Sequence, residues 1–420
     1  MDISCGRGAP DVLMVQLDEA REGMRLATPV AHPEKPGHDL LKAGFALTGD
    51  VIERLGTVGV TSVFVDYPEL AELDRFMDPY LSPARQVVYR QVRDTMAAAQ
   101  KSTRPTVAFP DYYAATRELI ITLMHGGQHP VYLDLMARQM GDEAVAHAVA
   151  VSHLSLVLGI RLEEYLVRQR SRLAARHARE VVNLGVAGML HDIGAARLSE
   201  PARRATRVDA PADDAVRAEW ESHPRIGYEM VKGGVEASAA AAVLHHHQHW
   251  DGSGFPGLPA DPCERAQPGQ PSRNAGERIH VFARIVAAAD LFDRLTTNPA
   301  TGERRPTIEA LHLMRTQHAG WVDPVILARM PSAVPPFPPG LKVRLSDGTV
   351  AVTVNVNLDR PYRPTVRRVV VQDEQFRLAK ESTDLASREN TGLRITHLGK
   401  TNVEAWVPAE VAPVAVRKTA

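Results

Sequence analysis

HHHQHWDGSGFPGLP, residues 245 to 259, packs four histidines into five positions and then breaks into glycine and proline. The histidines fall where a helix gives way to a loop, because the stretch from Gly252 to Gly276 is crowded with Pro, Gly, Ser and Asn. At such a junction ring nitrogens can gather around ions while a glycine-rich backbone brings its N–H groups up to a ligand. The plain alternative is a solvated polyhistidine face.

Outward from this stretch, residues 112 to 330 are Ala- and Leu-rich with helical periods and almost no strand signal, which predicts an all-helical domain over 126–330. Upstream, 79–125 is helical but polar and reads as a helical linker. Before it, VQLDEAREGMRLATPV (15–30) reads as two strands around a turn, GDVIERLGTVGV (49–60) as an amphipathic helix and TSVFVD (61–66) as a strand, giving a small α/β module over 11–78. Downstream, PSAVPPFPPG (331–340) reads as a stiff spacer. LKVRLSDGTVAVTVNVN (341–357) then alternates around Asp347-Gly348, a hairpin signal that opens a small β module over 335–410. The predicted fold class is mainly α, a helical domain flanked by these two modules.

A chain of 420 residues has room for about three folding units, each able to bury a core. Hydrophobic residues at 44% and charged ones at 24% exclude wholesale disorder and fibrous repeats. With 49 basic against 50 acidic side chains there is no global field for nucleic acid or an anionic membrane, so any phosphate chemistry must be local. Cys5 and Cys263 cannot build a disulfide framework and stand in no zinc-ligand spacing. Nowhere do eighteen apolar residues run unbroken, and the start of the chain has no export signal, so a cytoplasmic protein without a membrane span is expected.

Eleven of the seventeen histidines lie between His125 and His249, inside the helical domain. Imidazole is the commonest protein metal ligand and carboxylate its usual companion. His191-Asp192 closes the apolar run VAGML, where a carboxylate beside an imidazole can bridge two ions or simply serve as a helix-end polar pair. Asp290, within RIVAAADLF, is a carboxylate on a helix that otherwise reads as buried, and it wants a cation or a donor network. Glu143 and His147, four apart, project from one helical face, as metal ligands or as a surface acid beside a core histidine. His223 precedes Pro224 at a helix start.

Taken in order, a helical His, His-Asp-x-Gly, His-Pro-x-x-Gly, His-His before Asp-Gly-x-Gly-aromatic-Pro, and Asp on a last helix resemble the HD-GYP family of metal-dependent phosphohydrolases over residues 135 to 330. The flanking modules resemble the small N-terminal domain and the C-terminal extension found beside such domains. The resemblance implies that His147, His191, Asp192, His223, His246, His247 and Asp290 ligate two divalent ions, iron or manganese, with Asp192 bridging. Glu143 would serve a third ion in members that hold three. His191 and Asp192 would be the catalytic pair. It further implies hydrolysis of cyclic di-GMP to linear pGpG and onward to GMP, with Gly252, Gly254, Phe255 and Pro256 bordering the dinucleotide and diguanylate cyclases among the partners.

Several positions depart from the family pattern. Phe255 stands where tyrosine is usual, Gln248 where glutamate is usual, and Ala195 where a phosphate-contacting lysine is usual. The Arg-Pro-Tyr stretch after the Asp290 helix is replaced by Asn298-Pro299-Ala300. Two expectations follow: a working phosphodiesterase whose phosphate grip uses Arg197, Arg304 or Arg305, or a weakly active module that binds metal or nucleotide and signals through protein partners.

Overall fold

A computed structural model of the chain describes residues 12–17, 20–27, 29–31, 39–58, 60, 62–66, 81–102, 107–125, 143–204, 213–258, 275–297, 305–372 and 375–409. The described residues fall into two compact units, one within 79–305 and 313–333 and the other within 1–78, 306–312 and 334–420.

The N-terminal part pairs β1 (Val12–Gln16) antiparallel with β4 (Ser62–Asp66), and β2 (Val30–Ala31) with β3 (Asp39–Leu41). Helix α1 (Gly49–Thr57) starts where the Thr48 hydroxyl accepts the Val51 N–H, a side-chain cap for one of the amides that a first helical turn leaves unbonded. Its Leu55 joins a core of Val15, Leu17, Leu26, Val30, Leu47, Val63 and Val65.

The helical unit contains α2 (Leu81–Lys101), α3 (Phe109–His125), α4 (Glu143–Arg161), α5 (Glu163–Gln169), α6 (Ala175–Ala178), α7 (Val182–Leu190), α8 (Glu200–Arg204), α9 (Asp214–Glu221), α10 (His223–Val231), α11 (Ala237–His245) and α12 (Val281–Leu295). Helix α4 is mostly apolar and is long enough to cross a membrane by length and composition; 78% of that stretch is buried inside the protein. It is used as a core helix, packed against α2, α7 and α12. The segment read as a linker contributes two packed helices, since α2 lies against α3, α4 and the 3₁₀ turn Ile193–Arg197, and α3 lies against α7. Tyr112, fully buried, donates from its hydroxyl to Thr95 and ties α3 to α2.

Helix α12 starts at His280, whose Nδ1 accepts the Phe282 N–H at 3.2 Å. It is anchored by Arg284, buried against the Asp323 carboxylate at 2.6 Å and the Tyr165 hydroxyl at 2.7 Å. Two helices follow, α13 (Thr307–Thr316) and α14 (Pro324–Ala333).

The stretch from Pro331, expected to be a spacer, is structured. Pro331 to Ala333 complete α14, and Phe337 is fully buried in the core of the C-terminal sheet, so apolar burial overrides the proline pattern. That sheet is antiparallel throughout, in the order β10 (Thr401–Asn402), β9 (Ile395–Leu398), β5 (Lys342–Leu345), β6 (Val350–Asn355), β7 (Thr365–Gln372), β8 (Gln375–Asp384). The Asp347-Gly348 hairpin forms as expected, with the Asp347 carboxylate accepting the Thr349 N–H. Val343, Leu345, Ala351, Val366 and Ile395 supply the core face, into which Ile308 of α13 also packs.

Candidate metal centre

Five imidazoles and two carboxylates converge in the helical unit as two buried groups. Asp192, His223, His246 and His247 form one; His147, His191 and Asp290 form the other; in each, one ligand-type atom per residue lies within 4.8 Å of all the others. The residues are separated widely in sequence but occupy equivalent places locally. His191 and His246 cap the C-termini of α7 and α11, and His223 opens α10. Only His147 and Asp290 come from helix interiors, on α4 and α12.

Hydrogen bonds at Nδ1 leave Nε2 as the nitrogen facing the site in four of the five rings. His191 Nδ1 lies 2.8 Å from the Gly188 carbonyl, His223 Nδ1 2.6 Å from the Trp220 carbonyl and His246 Nδ1 2.8 Å from the Val243 carbonyl. A carbonyl only accepts, so Nδ1 carries a hydrogen and, in the neutral ring that a metal requires, Nε2 presents its lone pair. His147 follows the same rule through a carboxylate, with Nδ1 donating to Asp293 Oδ2 at 2.6 Å.

These bare nitrogens face one another. His223 Nε2 and His246 Nε2 are 3.2 Å apart, and His191 Nε2 and His147 Nε2 are 3.3 Å apart. Asp290 Oδ1 is 2.9 Å from His147 Nε2. Electron-rich atoms at such distances repel unless a proton or cation lies among them, so the donor set fits divalent metal ions. His247 Nε2 supports the same fit, being buried with no hydrogen-bond partner among the described residues.

Asp192 touches both groups. Its Oδ1 lies 3.2 Å from His223 Nε2 and 3.5 Å from His246 Nε2, while its Oδ2 lies 3.4 Å from His191 Nε2 and 3.7 Å from His147 Nε2.

Burial and the carboxylates pull the ionisations apart. Burial drives His246 down to about 4, opposed only in part by Asp192, and drives His247 well below the usual imidazole range with the charge of His246 adding to it. At His191 burial also lowers the value, but Asp192 and Asp290 outweigh it and lift the ring to about 9. Burial alone would raise the Asp290 carboxyl; the Arg294 guanidinium, followed by His147 and His191, holds it well below the usual carboxylate range.

A model of the HD domain matches residues 144–295, a span that contains all seven of these side chains. A cyclic di-GMP phosphodiesterase of Pseudomonas aeruginosa, PA4108, is 28% identical over 397 residues, covering 87% of this chain and 86% of that protein. The cyclic di-GMP phosphodiesterase response regulator RpfG of Xanthomonas campestris pv. campestris is 32% identical over 150 residues, 34% of each chain. The chain carries an HD domain, and these matches support an HD-GYP protein. Among solved structures, Bd1817, a HDG"Y"P protein from Bdellovibrio bacteriovorus, aligns with a TM-score of 0.41 at 16% identity, covering 76% of this chain and 97% of that one.

The loop from Gly252 to Pro256 lies directly against the site. Phe255 stacks on His247, with ring centroids 4.8 Å apart, and meets Trp220 edge-on at 4.9 Å. Gly254 is required by close approach, because a Cβ there would fall 2.1 Å from the His247 carbonyl oxygen. Gly252 adopts a positive φ of 88°.

Other residues singled out from sequence are not gathered at the centre. Glu143 is exposed in the first turn of α4 and belongs to neither group. Arg197 donates to the Gln100 carbonyl, and Arg305 donates to the carbonyls of Leu295 and Thr297 at the end of α12. Arg304 lies outside the described residues. Ala195 packs with Leu198, Ala202 and Trp220 in an apolar cluster. Two residues escaped notice in the sequence: Asp293, which holds His147, and Arg294, whose Nε lies 2.6 Å from Asp290 Oδ1. The available signal was spacing, since Arg294 stands one turn after Asp290 on the same helix.

Proposed function

We propose that the chain is a metal-dependent phosphodiesterase that hydrolyses cyclic di-GMP, the compound named for both curated relatives, to linear pGpG. Asp192 carries this reading, because its two oxygens face different groups of imidazoles, as a ligand shared between two ions must. His223, His246 and His247 would complete one ion's ligands, and His147, His191 and Asp290 the other's. Iron and manganese suit a mixed imidazole and carboxylate set. The chemistry such a pair supplies when bound is activation of water and neutralisation of phosphate charge.

The chain's own side chains hold that arrangement ready. Backbone carbonyls and Asp293 keep the four anchored rings in the ligating tautomer, and Phe255 with Trp220 shields His247 from water. The Gly252–Pro256 loop would border the dinucleotide. Water attacks phosphorus opposite the 3′ oxygen, the P–O3′ bond breaks, the 3′ oxygen takes up a proton and the ring opens.

The test is incubation of anaerobically purified protein, loaded with Fe(II) or Mn(II), with cyclic di-GMP. Linear pGpG is expected from the native chain and none from His191→Ala or Asp192→Ala. Absence of product with both metals would sink the enzyme reading.

Ala195 favours a second reading, a module that binds metal or nucleotide with little turnover and signals through partners, because an apolar cluster stands where the family carries a phosphate-contacting lysine. It predicts nucleotide binding without product, and a gain of activity in Ala195→Lys. Brisk turnover by the native chain would exclude it.

A further inference from the structure

Arg294 pairs with one carboxylate of each group. Its Nε lies 2.6 Å from Asp290 Oδ1 and its Nη2 3.5 Å from Asp192 Oδ2, with only 7% of the side chain exposed. The Asp290 oxygen it holds is the same one that His147 Nε2 approaches at 2.9 Å. A cation entering beside His147, His191 and Asp290 therefore meets a competitor already seated on the shared oxygen.

The charges reinforce the geometry. An imidazole that ligates a metal ion does so in its neutral form and adds no charge, so the anionic charge offered to a cation is that of two carboxylates, and a guanidinium, which does not deprotonate in proteins, cancels one of the two. In a buried site that cancellation is poorly screened by water. A buried carboxylate pair with no cation would in turn be costly, so the same guanidinium keeps the metal-free site charged and assembled.

We propose that Arg294 is an internal counter-cation that sets the metal affinity of this centre: it holds Asp192 and Asp290 in place when no ion is bound and weakens the capture of divalent ions, most of all beside His147, His191 and Asp290. The inference rests on the two-ion reading above. It makes the centre one that exchanges its metal with the surroundings instead of locking it in.

The experiment uses the full chain, stripped with chelator and titrated with Mn(II) alone by equilibrium dialysis, for the native protein, Arg294→Gln and Arg294→Lys. Arg294→Gln is expected to bind its weakest ion at least tenfold more tightly and to melt at a lower temperature when stripped. Arg294→Lys, which keeps the charge, is expected to stay within threefold of the native affinity. If Arg294→Gln does not fold when stripped, the Mn(II) concentration that restores its thermal transition gives the affinity, and a midpoint below the native dissociation constant supports the proposal. Equal or weaker binding by Arg294→Gln, or a shift as large in Arg294→Lys, overturns it. Tight binding of two ions by the native chain with no change in Arg294→Gln defeats this inference and leaves the two-ion centre standing. Failure of both proteins to bind Mn(II) defeats both.

Discussion

Gly194 and Gly227 touch: a Cβ built on Gly194 would lie 2.6 Å from the Gly227 nitrogen and 2.0 Å from the His223 carbonyl oxygen. The contact joins the turn that carries His191 and Asp192 to the helix that begins with His223, so backbone proximity brings the candidate ligands of both segments together. Gly194→Ala has no flexible side chain to push aside. It is expected to cost about 3 kcal/mol or more in stability, at or above the usual range for overpacking, and to lower metal content, read from the melting temperature and elemental analysis. A variant that melts and binds metal like the native chain would refute the importance of this crossing.

Asp293 should matter although it belongs to neither group. Its Oδ2 accepts from His147 Nδ1 at 2.6 Å and so keeps Nε2 bare. Asp293→Asn offers an amide in place of that carboxylate oxygen and is expected to reduce metal affinity or turnover by roughly 10- to 100-fold, as loss of an outer carboxylate on a ligating histidine does. Mn(II) titration and steady-state kinetics check it.

Phe255 covers His247 and packs edge-on against Trp220. Phe255→Ala removes both ring contacts and should lower stability by about 1–2 kcal/mol, while Phe255→Tyr should stay close to native. Denaturant midpoints for the two variants distinguish a packing role from one that needs a hydroxyl.

The cap of α12 predicts a pH dependence. Burial, with Arg170 and Arg284 nearby, pushes His280 down to about 4, and its Nδ1 accepts the Phe282 N–H, which an imidazolium cannot do. The folded state therefore binds the proton less readily than the unfolded chain, whose imidazole titrates near 6.5. This contribution is complete above about pH 6.5 and is lost as pH falls toward about 4. His280→Asn caps the helix without titrating, so its melting temperature should fall less between pH 7 and 4.5 than that of the native chain.

Much of the candidate centre was legible because four of its five histidines, His191, His223, His246 and His247, sit in short motifs at helix ends, whereas His147 lies within α4 and showed only through its spacing from Glu143. Asp290 was legible as a charge in an apolar helix. Asp293 and Arg294 were not, since an acid and a base near a helix C-terminus read equally well as a solvated pair, and only burial against residues more than a hundred positions away gives them their role. Glu143 shows the converse: spacing put it on the face of His147, but the first turn of α4 leaves it in solvent. In the fold, the Asp347-Gly348 turn announced β5 and β6. The short strands β9 and β10 carry too few residues to show alternation, and the helical end of α14 was hidden by prolines whose neighbours Met330 and Ala333 are buried.

Three of the candidate ligand rings take their orientation from a carbonyl three residues upstream: Gly188 for His191, Trp220 for His223 and Val243 for His246. Each tetrapeptide thus prepares its own donor autonomously, and the bundle needs only to bring finished pieces together. Inserting a single residue between ring and carbonyl should disable a ligand as thoroughly as deleting it, with every imidazole still present in the chain.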